Sequence, residues 1–247
     1  MKDNATFGVI GAMSIEIENL RAALSDVETR EIAGLTFYSG TLGRHRVVLV
    51  QSGIGKVNAA RCTQILIDRY APDYLINTGI AGGVGKGLAV ADVVIGTELV
   101  QHDFDVTFFG YARGNLCAGK DGKPTVFTSD AALVERFRAA AETLVEPARV
   151  KTGRIATGDQ FVADRALKHD IAGTFGAIAA EMEGGAIAQT AAAAGVPFIV
   201  IRAISDLADE DDEALSKVSD GDESVSQSFD RMTADLSANI LLKMIQS

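Results

Sequence analysis

Residues 196–206 read Val-Pro-Phe-Ile-Val-Ile-Arg-Ala-Ile-Ser-Asp, and they follow an alanine-rich run, Gly-Gly-Ala-Ile-Ala-Gln-Thr-Ala-Ala-Ala-Ala, over 184–194. The run predicts a helix over 184–194 with Gly195 placed as its C′ residue, where the left-handed conformation suits glycine. The apolar, β-branched stretch 196–204 predicts a strand, and its consecutive apolar residues suit burial on both faces. It ends in a carboxylic acid, Asp206. A helix, a glycine and a buried strand, repeated, make an α/β fold.

The same alternation runs outward along the chain. Strands are expected at 7–12, 35–38, 46–51, 73–78, 92–100, 151–157 and 177–182. The second and third flank a turn at Gly43. A helix starts at Ser14 as N-cap, with Ile17, Leu20 and Leu24 at helical spacing. Others are expected at 57–69, ended by Pro72, at 131–144 and at 224–245. The last is amphipathic, with Phe229, Met232, Leu236 and Ile240 on one face. Residues 79–87 read as a glycine-rich turn, and 111–123 as a long loop. There is no linker and no repeat, so residues 1–247 are expected to form one domain around a mostly buried sheet. Residues 206–223 carry nine acids and one Lys. That composition suits a solvated loop, and its place after a strand end is also where an active-site lid would stand.

Composition narrows the function. The 247 residues include 33 acids against 23 Lys and Arg, a formal net charge of −10, and 47% are hydrophobic. Such a surface repels phosphate backbones and anionic lipids, which argues against nucleic-acid and membrane partners. The densest basic cluster is only Arg44-His45-Arg46. No stretch approaches the roughly 20 apolar residues of a membrane span. Cys62 and Cys117 are too few and too far apart for a disulfide framework, so a reducing, cytoplasmic setting is expected. Cys62 falls within a helix and reads as a core residue. A Walker A loop fails because Gly87 follows Gly85-Lys86, and no dinucleotide GxGxxG, GxSxG elbow or HExxH is present. Three scattered histidines argue against a zinc site, so neither metal nor cofactor is expected.

What remains is carboxylates and glycines at the carboxyl ends of strands, the edge where open α/β sheets bind ligands. Three places stand out: 11–16 with Glu16, 181–183 with Glu183, and 202–206 with Asp206. Around them lie Gly-Ala-Met-x-x-Glu (11–16), Ser-Gly-Ile-Gly-Lys-Val (52–57), Ile-Asn-Thr-Gly-x-Ala-Gly-Gly (76–83), His-Asp-x-Asp-Val-Thr-x-Phe-Gly-Tyr (102–111), Glu-Met-Glu (181–183) and Arg-Ala-Ile-Ser-Asp (202–206). This ordered set, covering nearly the whole chain, resembles the bacterial 5′-methylthioadenosine/S-adenosylhomocysteine nucleosidases. The resemblance implies the nucleoside phosphorylase superfold: a three-layer αβα domain with a central mixed, partly closed sheet. It also implies a homodimer.

Cleaving an N-glycosidic bond requires a protonated leaving base, a stabilised oxocarbenium charge and a nucleophile at the anomeric carbon. By resemblance, Asp206 is the acid that reaches adenine N7 and Ser205 orients it. The apolar strand behind Asp206 is expected to raise its pKa by desolvation. Glu183 matches the carboxylate that accepts the ribose 2′ and 3′ hydroxyls, and Glu16 the base that activates water. Glu181 takes no role in this reading. A phosphate nucleophile needs Arg or Lys donors where Glu16 stands; Arg202, expected among the catalytic residues with Glu16, Asp206, Glu183 and Ser205, is the nearest cation, and one Arg beside a Glu fits water better. The adenine site is expected from Gln160, Phe161 and Val162, with Phe161 stacking and the Val162 backbone pairing with the base. Met13, Ile54, Ile80, Gly82 and Met182 complete the substrate contacts, Met182 on the sugar face. Val106, Phe109 and Tyr111 match an apolar 5′ pocket, part of it from the neighbouring subunit. His102 reads as structural.

The chain departs from the family pattern in three ways. Ile80 stands where a Ser is usual, the segment after Asp206 is longer and has no aromatic before Phe229, and the stretch between Tyr111 and Phe127 differs. All three bear on the 5′ substituent and on efficiency. The competing readings are an aminofutalosine or 5′-deoxyadenosine hydrolase, a phosphorylase, and a catalytically inactive nucleoside-binding protein of the same fold.

Overall fold

The structure, a computed structural model, describes residues 2–208 and 223–247, with side chains from 230 onward in the second stretch. The acidic segment after Asp206 and the side chain of Phe229 lie outside the described residues.

The central parallel strands are explained by where their two faces go. β1 (Thr6–Gly11), β4 (His45–Gln51), β5 (Tyr74–Gly83) and β10 (Phe198–Asp206) run parallel to their neighbours in the order β10-β5-β1-β4. Their side chains alternate between two cores. Phe7, Val9, Leu49, Ile76, Ile199 and Ile201 enter one, where α1 (Ser14–Ala23), α3 (Ala131–Ala141) and α6 (Glu223–Gln246) supply Leu20, Phe137, Leu241 and Met244. Ile10, Val48, Val50, Leu75 and Val200 enter the other, with Cys62 and Leu66 of α2 (Lys56–Tyr70) and Ile187 and Ala191 of α5 (Gly184–Ala194). Two apolar faces per strand produce helix, sheet and helix layers, and they account for the unbroken apolar runs.

The sheet is mixed and partly closed. β6 (Val93–Gln101) joins β10 antiparallel and β8 (Val150–Thr157) parallel. β9 (Ala177–Glu181) then pairs with β8 and, antiparallel, with β5. Because β5 also pairs with β10, the strands β10, β6, β8, β9 and β5 form a closed ring. β1, β4, β3 (Leu35–Leu42) and β2 (Ser25–Ile32) extend it as an open sheet. A two-residue β7 (Phe127–Thr128) pairs with β6.

Several expectations are corrected. Residues 79–83 are not a turn: β5 runs through Gly83, in register with β10 as far as Gly82. Met13, not Ser14, is the N-cap of α1. The strand expected at 35–38 continues to Leu42, and the helix expected to reach 144 ends at Ala141. Two elements carried no sequence signal strong enough to be read. β2 is exposed along nearly its whole length and pairs only with β3. α4 (Arg165–Phe175) buries only Ile171 and Phe175 and is capped by Asp164, whose side chain accepts the Leu167 N–H at 2.7 Å. Gly195 ends α5 at φ 69°, as its placement predicted. No helix among the described residues is long and apolar enough to cross a membrane.

Candidate active site

A cavity of about 220 Å³ opens at the carboxyl ends of β1, β5 and β10 and the end of β9. Glu16, Glu181, Glu183 and Asp206 all line it, with Met13, Ile54, Ile80, Gly82, Phe161, Met182 and Ser205. Gln160 and Val162 line a small adjoining cleft that shares Gly82, Phe161, Met182 and Asp206.

Each carboxylate is held by backbone. Glu16, in the first turn of α1, turns back over the strand it follows. Its Oε2 accepts the N–H groups of Ala12 (2.6 Å) and Met13 (3.0 Å), and its Oε1 accepts that of Ile80 (3.2 Å). The carboxylate thus fills the capping role expected of Ser14. A Cβ on Gly79 would lie 2.4 Å from Glu16 Oε1, so glycine there is the space the carboxylate occupies. Burial raises the Glu16 pKa, against the opposing pull of Arg202 and of the three amides. Ile80, which replaces the expected hydroxyl, contributes its amide through the backbone whatever its side chain.

Asp206 reaches the cavity through an irregularity in β10. Ile204 pairs with Ala81 and Asp206 with Gly82, so two residues of β10 advance against one of β5. Such a bulge re-aims side chains, and here the consecutive Ser205 and Asp206 both line the cavity. The Ser205 hydroxyl donates to Asp206 Oδ2 at 2.8 Å, and the Ala208 N–H donates to Oδ1 at 2.7 Å. A Cβ on Gly82 would come within 3.0 Å of Oδ1.

Glu183 is the N-cap of α5, and its Oε1 accepts the Gly55 N–H at 2.9 Å. Burial, reinforced by the neighbouring Glu181, pushes its pKa up to about 7. Glu181, which had no role in the sequence reading, sits beneath it. Its Oε2 accepts the N–H groups of Glu183 (3.0 Å) and Gly184 (2.7 Å), and Thr157 Oγ1 donates to its other oxygen. It also pairs with Arg202, which is 1% exposed and donates as well to Asn77 Oδ1 and to the Ile201 carbonyl (2.9 Å). Arg202 lies 3.9 Å from Glu183 Oε2. It is therefore behind the carboxylates rather than on the cavity wall. The signal for Glu181 was the fixed two-residue interval between two acids at a strand end.

The rim is different in kind. Phe161 and Ile54 are exposed. Val106 precedes a short 3-10 turn over Thr107–Phe109, on which Phe108 and Phe109 are exposed edge to face, 5.2 Å apart. Neither Val106, Phe109 nor Tyr111 lines the cavity among the described residues. His102 is buried against Gly158 with its Nε2 unpaired, and burial lowers its pKa. It does not line the cavity either. No group of three or more potential metal ligands is found among the described residues.

Residues 6–246 match the sequence model of the phosphorylase superfamily. The chain is 48% identical over 205 residues, 83% of its own length and 86% of the relative's, to a 5′-methylthioadenosine/S-adenosylhomocysteine nucleosidase of Exiguobacterium sp.. It superposes with a TM-score of 0.87 on the nucleosidase of that name from Neisseria meningitidis in complex with methylthio-immucillin-A, at 43% identity over 98% of this chain and 99% of that one. The S-adenosylhomocysteine nucleosidase of Streptococcus pyogenes, in complex with 5-methylthiotubericidin, gives 0.87 at 37% identity over 98% and 97%.

Proposed function

The chain belongs to the phosphorylase superfamily, and from that premise we propose how its carboxylates divide the work of a nucleosidase. The reaction is hydrolysis of the N-glycosidic bond of 5′-methylthioadenosine and S-adenosylhomocysteine, which releases adenine.

Asp206 protonates adenine N7 as the bond breaks, and the Ser205 hydroxyl fixes the orientation of its carboxyl. Glu16 takes a proton from the attacking water. A base with a pKa raised by burial is better matched to that task at neutral pH than an ordinary carboxylate. Glu183, ionised, accepts the two ribose hydroxyls and places negative charge beside the developing ribosyl cation. Phe161 stacks on the base, the Val162 backbone pairs with it, and Met182 packs on the sugar. The observation that carries this assignment is the convergence of three buried carboxylates on one cavity, each on its own backbone donor.

Water is favoured over phosphate by charge. Among the described residues, no Lys or Arg lines the cavity, and Arg202 is engaged by Glu181 and Asn77. A phosphate dianion would meet carboxylates. We further propose a homodimer in which the exposed Phe108 and Phe109 of one copy cover the 5′ side of the other's cavity, and a cytosolic location that keeps Cys62 and Cys117 as free thiols. The two cores on either side of one sheet support a single domain.

Adenine release from 5′-methylthioadenosine, S-adenosylhomocysteine, 5′-deoxyadenosine and aminofutalosine, with and without phosphate, tests the reading. The first two are expected to be cleaved at the same rate in both conditions. Strict dependence on phosphate overturns the hydrolytic mechanism.

A further inference from the structure

Outside the cavity wall, one cluster of charge is built with unusual completeness. Lys56, the first residue of α2, forms an ion pair with Asp103 at 2.6 Å, and both side chains are less than one-fifth exposed. The second oxygen of Asp103 accepts the Asp159 N–H at 2.9 Å, and Asp159 Oδ1 accepts the Lys56 backbone N–H at 2.8 Å. The three residues close a ring of bonds. It ties together three segments far apart in sequence: the 52–56 loop, the residues just past β6 and the turn after β8. Lys56 Nζ also reaches Gln101 Oε1 at 3.4 Å, and Gln101 donates to Gln189 of α5 at 2.7 Å.

The ring stands one residue from the site on two sides. Gly55, next to Lys56, gives its N–H to Glu183. Asp159 is followed directly by Gln160, Phe161 and Val162. Gly55 sits at φ 96°, and a Cβ there would come within 3.0 Å of Asp159 Oδ1, so the two strands of the ring are pressed together. We propose that Lys56, Asp103 and Asp159 are positioning residues that hold the base-binding segment 160–162 and the ribose carboxylate Glu183 at a fixed separation. The proposal rests on the nucleosidase reading of those two groups. A surface ion pair would not serve, because exposed pairs are loose and worth little. Here both partners are largely withdrawn from water, and removing either strands the other. Burial alone would raise the Asp103 pKa, yet Lys56 and the Asp159 N–H hold it below the usual range.

The ring also reaches the protonation of the site. Glu183 faces Glu181 of β9, Arg202 of β10, Glu16 of α1 and the Gly55 N–H, and Asp206 and, from α6, Asp230 line the same cavity. Only the Gly55 donor is delivered by the ring. Losing it weakens the ionised form of Glu183, so a rate that requires that form is lost at a higher pH.

The test is adenine release from 5′-methylthioadenosine by the full chain, measured against pH for the wild type, Lys56→Met, Asp103→Asn and Lys56→Arg. Lys56→Met and Asp103→Asn are expected to lose roughly ten- to a hundredfold in kcat/KM. Their acid limb should rise by up to about one pH unit. Lys56→Arg, which keeps the charge, should recover most of both. The proposal is overturned if folded variants keep the wild-type limb and rate, or if Lys56→Arg is as impaired as Lys56→Met. Asp159→Ala leaves the buried pair intact and is the variant to use if the others do not fold. It should weaken adenine binding several-fold, and unchanged affinity refutes the ring. A wild-type chain that releases no adenine defeats the nucleosidase reading instead.

Discussion

On the wall made by β1, β5, β9 and β10, Glu16, Glu183 and Asp206 are 4, 6 and 7% exposed, and a backbone N–H is bonded to each. On the opposite rim Phe161 is 66% exposed and Ile54 53%. One side is finished within the chain and the other is left open. The contrast separates two requirements of catalysis. Groups that stabilise charge must be aligned before the substrate arrives, since reorganising them would raise the barrier. Groups that grip an apolar base or a thioether tail gain their binding energy by being covered, so they have to start exposed.

Four measurements probe that contrast, and the largest effect belongs to the closed wall. Asp206→Asn keeps the shape of the bulge but removes the acid, and adenine release should fall by roughly 10²–10⁴. A loss under about tenfold would place the acid elsewhere. Next comes Gly79→Ala, which drives a methyl to 2.4 Å from Glu16 Oε1. The displaced base should lower kcat by about a hundredfold and leave KM nearly unchanged. On the open rim, Phe161→Ala should act the other way round, raising KM by about tenfold as stacking is lost while kcat is largely kept. Equal effects of the last two on kcat would erase the distinction between the walls.

The smallest effect is on stability. The Glu183 pKa rises from an ordinary 4.5 to about 7, so between those values the folded chain binds more protons than the unfolded one. Stability therefore falls as pH rises through that window, and the full cost is present above it. Glu183→Gln removes the cost. Its thermal midpoint should exceed the wild type's by on the order of 5 °C at pH 8, with no gain at pH 4. A variant no more stable at pH 8 would mean that the carboxylate is better solvated than its burial indicates.

The same contrast explains what was legible in the sequence. Glu16, Glu183 and Asp206 stand a few residues past apolar strand runs, at the edge where a charge is conspicuous, and all three line the cavity. Glu181 was visible but not interpretable, because its partners Thr157 and Arg202 lie 24 and 21 residues away. Gly79 and Gly82 read as turn residues because glycine usually marks one. In the fold they are strand residues whose missing side chains make room for Glu16 and Asp206. β2 escaped notice because it pairs only with β3 and is exposed on nearly every residue, so no hydrophobic alternation records it. α4 escaped because two buried residues in eleven leave little periodicity. Tyr111, Val106 and Phe109 were read as pocket residues, and a single copy of the chain does not bring them to its own cavity.

Arg202 is one buried guanidinium beside four buried carboxyl groups, Glu16, Glu181, Glu183 and Asp206. The carboxyls outnumber the positive charge, and burial and the neighbouring Glu181 push the Glu183 pKa up to about 7, so near neutrality its carboxyl is partly protonated. A ligand that fixes the protonation of these groups must then exchange protons with the solvent. The heat of binding measured by calorimetry should accordingly change with the ionisation enthalpy of the buffer, and ligand affinity with pH, even for a nucleoside that carries no charge itself.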